Sequence, residues 1–139
     1  MTNDEQLQNY MVLIEQYREQ INQLEQQSSY IQAAIMDYSK AKITLENING
    51  KDKNNEILVP IGGNTFIHAK TTDTSTVLYN IGAGVVTEKK VEDAIKKIDE
   101  KIEELQRSQE KTSEMIENIE NQANEVTEKA QKIINQEKK

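Results

Sequence analysis

Read as a pattern of apolar and polar positions, the chain has two long heptad-patterned stretches separated by a short region of different character. From Leu7 the first stretch repeats with strict 3-4 spacing. One seam position reads Leu7, Ile14, Ile21, Ser28, Ile35, Lys42; the other reads Tyr10, Tyr17, Leu24, Ile31, Tyr38, Leu45. Ten of these twelve are apolar or Tyr, and the narrow stripe predicts a coiled-coil helix over about Asp4 to Ile48. Thr2-x-x-Glu5 has capping-box spacing at its start, and Asn49-Gly50 supplies a stop. At ~1.5 Å per residue such a helix is roughly 65 Å long, which only a second helix of similar length can cover.

That second helix is predicted over about Glu88 to Gln136, with Thr87 as N-cap and Glu88 in the first turn. Its seam reads Val91, Ile98, Leu105, Thr112, Ile119, Val126, Ile133 and Ile95, Ile102, Gln109, Ile116, Ala123, Ala130. Outside the seam, acid-to-base pairs four apart (Glu92/Lys96, Asp93/Lys97, Glu103/Arg107, Glu125/Lys129, Glu128/Lys132) read as a solvated face. Set antiparallel with Leu45 near Val91, facing positions have numbers summing to about 136–140. Ser28 then falls beside Gln109 and Thr112, so the polar breaks of both seams meet, as a layer that flexes or pins register. Lys42 lies within reach of Glu92 or Asp99.

Between the helices, a polar link over 51–55 leads to two glycine-centred apolar stretches. Ile57 to Ile61 and Thr65 to Ala69 flank Gly62-Gly63; Val77 to Ile81 and Val85-Val86 flank Gly82-Ala83-Gly84. Both read as β-hairpins, with Pro60 at an edge or bulge because it cannot donate to a ladder. The fold class is therefore mainly α: a long antiparallel coiled-coil hairpin with two central β-hairpins forming an oligomerisation module. The chain divides into residues 1–49, 50–87 and 88–139. A lone hairpin is marginal in water and exposes pairing edges. The expected assembly surface is Ile57, Leu58, Val59, Ile61, Phe66, Ile67, Val77, Leu78, Tyr79, Ile81, Val85 and Val86.

Met11, Val12 and Leu13 extend the seam residue Ile14 into a four-residue apolar run, which covers every side of a helix. With Leu7, Tyr10, Ile133 and Ile134 it places an apolar, loosely held tip where both termini meet, since small Ala123 and Ala130 thin the seam there. These eight residues are the expected sticky surface of the tip, flexible and apolar enough to re-pack around varied partners. An equally good reading has part of the run widening the seam or packing on a neighbouring subunit.

Composition narrows the function. Of 139 residues 35% are hydrophobic and 4% aromatic, less core material than a globule of this size carries. The net charge of −7, with lysines interleaved among glutamates, argues against nucleic acid and against anionic lipid. There is no cysteine, no run near the ~18 apolar residues of a membrane span, and no basic leader, so a cytoplasmic location is expected. Gly82-x-Gly84 lacks a third glycine and a phosphate-loop lysine, and reads as a hairpin turn. His68, the single histidine, has no ligand or nucleophile near it in sequence. No enzyme, cofactor or metal is expected.

The sequence resembles the alpha class of the prefoldin family over essentially its whole length. The likeness rests on Val59-Pro60-Ile61-Gly62-Gly63 and on Gly82-Ala83-Gly84-Val85-Val86-Thr87-Glu88-Lys89 with Ala94 following. Val85 and Val86 stand where the family often has an aromatic residue. The resemblance implies an ATP-independent chaperone subunit, two of which join four beta-class subunits through a β-barrel base. It further implies that unfolded polypeptide is captured at the coiled-coil tips and passed to a group II chaperonin. The alternative is a structural tether that assembles through its β module and spaces two folded partners.

Overall fold

The computed structural model describes residues 2–48 and 55–138. The expected helix stop at Asn49-Gly50 and most of the polar link lie outside the described residues. The element order is α1 (Asn3–Ile48), β1 (Glu56–Gly62), β2 (Thr65–Lys70), β3 (Thr76–Gly82), β4 (Val85–Lys90) and α2 (Val91–Glu137). This is the expected pair of long helices with two antiparallel hairpins between them.

Local chemistry accounts for the ends of α1 and α2. Thr2 and Glu5 form a reciprocal cap: the Glu5 amide donates to Thr2 Oγ1 and the Thr2 amide to Glu5 Oε2, both at 3.3 Å. The second helix starts three residues later than the pattern suggested. Thr87 is no N-cap, because β4 continues to Lys90, with Thr87 opposite Tyr79 and Lys90 opposite Thr76. Ladder pairing with β3 outcompetes the helical propensity of Glu88, Lys89 and Lys90. Glu92 and Asp93 then supply the acids of the first turn.

The two hairpins are built on one plan, displaced by twenty residues. In the first, Glu56 pairs with Lys70, Leu58 with His68 and Pro60 with Phe66; in the second, Thr76 pairs with Lys90, Leu78 with Glu88 and Asn80 with Val86. Each ladder slips by one residue just before its turn, between Pro60 and Gly62 and between Asn80 and Gly82. Pro60 thus stands beside a bulge, where a missing donor costs least. Each base is closed by the same bond: the Thr71 amide donates to the Asn55 carbonyl and the Val91 amide to the Ser75 carbonyl, both at 3.0 Å. Between the hairpins, Asp73 Oδ1 accepts from the Ser75 amide at 2.8 Å and from its hydroxyl at 2.6 Å, which folds the Thr/Asp/Ser connection into a tight turn.

The turns take the left-handed conformation throughout. Gly63 and Asn64 have φ of 55° and 56°, and Ala83 and Gly84 have 52° and 75°, the double positive pattern of a two-residue hairpin loop. Gly62 at 103° and Gly82 at 111° lie where a Cβ is strongly disfavoured.

The chain resolves into two compact units. One comprises Met1–Ile35 with Leu105–Lys139, and its buried positions are Thr112, Val126, Ala130 and Ile133 on α2. The other comprises Met36–Glu104, and its core centres on Val91 and Ala94, both 0% exposed, with Ile98 and Thr74. No described residue of α1 is fully buried. The helices differ in charge as well: ten of 46 residues in α1 are Asp, Glu, Lys or Arg, against twenty of 47 in α2. From Gln26 to Met36, three turns of α1, there is no charge at all.

Candidate functional site

Within the Met36–Glu104 unit, alternation along the strands gives each hairpin two faces. On β1 and β2, Leu58, Pro60, Phe66 and His68 share one face and Ile57, Val59, Ile67 and Ala69 the other, as their pairing requires. Val59 and Ala69 are half-buried, whereas Leu58, Phe66, Ile57 and Ile67 are exposed. On β3 and β4, Val77, Tyr79, Thr87 and Lys89 form the half-buried face, with Lys89 Nζ 6.0 Å from the Tyr79 ring centre. Leu78 and Val86 lie on the open face, and Leu78 is 76% exposed. Ile61, Ile81 and Val85 stand exposed at the turns. Of the twelve residues expected to form the assembly surface, only Val59, Val77 and Tyr79 are partly covered; the rest are exposed.

The half-buried face of the second hairpin borders a cleft of about 400 Å³, lined by Tyr38 and Leu45 of α1, Val77 and Tyr79 of β3, and Ala94 and Ile98 of α2. Asp37 is its one ionisable carboxylate. The same unit holds Lys42, a seam position, with Nζ 2.7 Å from Asp99 Oδ1 and 3.9 Å from Glu46 Oε1. The hydrogen bond that Lys42 donates to the Asp99 carboxylate raises the Lys42 pKa above its ordinary value. Asp99, one of the two acids expected within reach, is therefore the partner.

In the other unit, the eight expected client-contact residues split into three groups. Met11, at 63%, and Val12 are exposed; Leu7, Tyr10, Leu13, Ile14 and Ile134 are half-buried; Ile133, at 9%, packs among the buried seam residues. Gln109 Nε2 donates to Ser28 Oγ at 2.7 Å, so the polar breaks of the two seams do meet. On the part of α2 that belongs to the Met36–Glu104 unit, Lys97 pairs with Glu100 and Lys101 with Glu104, three apart, rather than four apart as counted from sequence. All are exposed and contribute little.

Two features escaped sequence reasoning. The hairpin repeat is one: Leu58-x-x-Ile61-Gly62 recurs as Leu78-x-x-Ile81-Gly82, and Lys70 as Lys90, but little else is shared. Matching the two glycine-centred stretches at an offset of twenty would have found it. The other is Tyr30, 78% exposed on the outer face of α1, where it walls a shallow depression with Gln26, Ser29 and Ala33. Among the described residues no group of three or more His, Cys, Asp or Glu is placed to hold a metal ion. No described helix is long and apolar enough to cross a membrane.

Large apolar side chains exposed on two hairpins of two strands each, joined to long and mostly polar helices, define a coiled-coil subunit with a β assembly module. The family model for prefoldin subunits matches residues 17–136. The chain belongs to the prefoldin family, in its alpha class. It is 30% identical to the prefoldin alpha subunit of Methanococcus maripaludis over 77% of its own length and 72% of that protein's. To the prefoldin alpha subunit of Methanococcus aeolicus it is 31% identical, over 76% and 71% respectively. A chain of the filamentous PFD from Methanocaldococcus jannaschii, solved by cryo-electron microscopy, shares the fold. Its TM-score is 0.60 at 21% identity, with 89% of this chain and 97% of that one covered.

Proposed function

We propose that this prefoldin-type chaperone subunit holds unfolded polypeptide without ATP, at the terminal ends of its helices, and delivers it to a group II chaperonin. Assembly runs through the hairpins, with two copies of this chain joining four beta-class prefoldin subunits in the cytoplasm, and no catalysis is involved. The observation that carries the reading is the solvent exposure of Leu58, Phe66, Leu78 and Val86 on sheets of only two strands. Each two-stranded sheet leaves strand edges unpaired, so strands from other subunits satisfy both its backbone and its apolar faces. Exposed Met11 and Val12 supply the adaptable apolar contacts that varied clients need.

Light-scattering mass of the chain alone, and then mixed with a beta-class subunit, tests this. The expected result is a hexamer-sized complex that deletion of residues 56–86 abolishes, and that suppresses aggregation of a denatured client. A stable monomer or dimer indifferent to the partner favours the tether.

A further inference from the structure

We infer that the Ser28–Gln109 contact fixes the register in which α1 and α2 pair, within the unit formed by residues 1–35 and 105–139. A coiled-coil seam of Ile and Leu is indifferent to sliding, since displacing one helix by a whole heptad returns apolar residues to apolar holes. At this layer the neighbouring seam positions are Ile21, Ile35, Ile102 and Ile116, so apolar packing of the layer itself does not choose among registers.

The polar pair does choose. In the observed register Gln109 Nε2 donates to Ser28 Oγ at 2.7 Å. Sliding α2 by one heptad either way sets Ser28 against Ile102 or Ile116, and Gln109 against Ile21 or Ile35. In both cases the hydroxyl and the amide lose their partners inside the seam, where an unmet polar group is expensive. Gln109 Oε1, the other end of the same amide, accepts no hydrogen bond from the described residues, so the bond to Ser28 is the contact that ties this side chain to α1.

The other polar seam residues lack this selectivity. Thr112 is 3% exposed, but its hydroxyl donates to the Ser108 carbonyl of its own helix at 2.9 Å and needs nothing from α1. Lys42 meets Asp99 in the observed register, yet a one-heptad slide in one direction brings Glu92 to the place of Asp99. An ion pair then survives the slide.

The test uses the full chain, which has no cysteine of its own. Spin labels on Gln8→Cys and Asn118→Cys, both exposed positions in this unit, report the axial offset of the helices by their separation. The parent is expected to give one narrow distance. Replacing the pair with Ser28→Leu and Gln109→Leu should add a population shifted axially by about 10 Å, one heptad of rise. Should the leucine variant not fold, Ser28→Ala with Gln109→Ala serves instead, since the seam already tolerates Ala123 and Ala130. A single unchanged distance in a folded double variant overturns the assignment.

Discussion

Gly62 and Gly82 occupy one position of the same hairpin plan, twenty residues apart, with φ of 103° and 111°. Their surroundings leave open space where a Cβ would stand, so the constraint is the backbone conformation itself. Gly82→Ala should therefore lower protection of the β3–β4 ladder amides by about 1–2 kcal/mol, measured by hydrogen exchange at Tyr79 and Thr87. Equal protection in parent and variant would mean the turn has relaxed to another conformation.

Ala83 offers the converse change. It holds φ of 52° with a side chain that disfavours it, while its counterpart in the first hairpin is Gly63. Ala83→Asn creates the Asn-Gly pair preferred in such turns. Exchange in the second hairpin should slow by several-fold, with the first hairpin unaffected.

Asp73 ties the connection between the hairpins through its bonds to the Ser75 amide and hydroxyl. Asp73→Ala should cost about 1 kcal/mol locally. The expected sign is faster exchange at Ser75 and faster proteolysis between Thr72 and Ser75, with helical circular dichroism unchanged.

Lys42 and Asp99 give a pH signature. The folded-state pKa of Lys42 is raised, so its stabilising contribution is complete below the unfolded lysine range and disappears as pH rises through the folded value. Asp99→Asn should melt slightly below the parent at neutral pH, and the two curves should converge in strongly alkaline buffer. A difference that stays constant across that range would assign the effect to packing.

Met11 and Val12 are the exposed members of the proposed client surface. Met11→Ser with Val12→Ser should weaken suppression of client aggregation several-fold while the assembled mass stays the same. Because both side chains already face solvent, the melting temperature should barely move. Full holding activity in the intact assembly would remove these residues from the site.

Much of the architecture was legible because heptads and glycine-centred alternation are local signals. The 3-4 spacing from Leu7 to Leu45 defined α1, and fixing one end of an antiparallel seam was enough to bring Ser28 to Gln109. The start of α2 was not legible. Thr87 to Lys90 carry good capping and helical chemistry, and only the reach of β3 back to Thr76 draws them into a ladder. Side-chain exposure at the helix ends was equally hidden. The run from Met11 to Ile14 is uniformly apolar in sequence, and the approach of α2 decides that Met11 and Val12 stay open while Leu13 and Ile14 are half covered. Ile133 shows the same limit, since its neighbour Ile134 differs from it only by a step around the helix.

The 81 residues between Ser28 and Gln109 also set a delay during synthesis. A ribosome adding about 5–20 residues per second completes Gln109 roughly 4–16 s after Ser28. Over that interval the apolar stripe of α1, a helix sparse in charge and without a fully buried residue, waits for its cover. A subunit of a chaperone thus begins life in the condition of a client, and the seam partner that ends that exposure is made only after both hairpins.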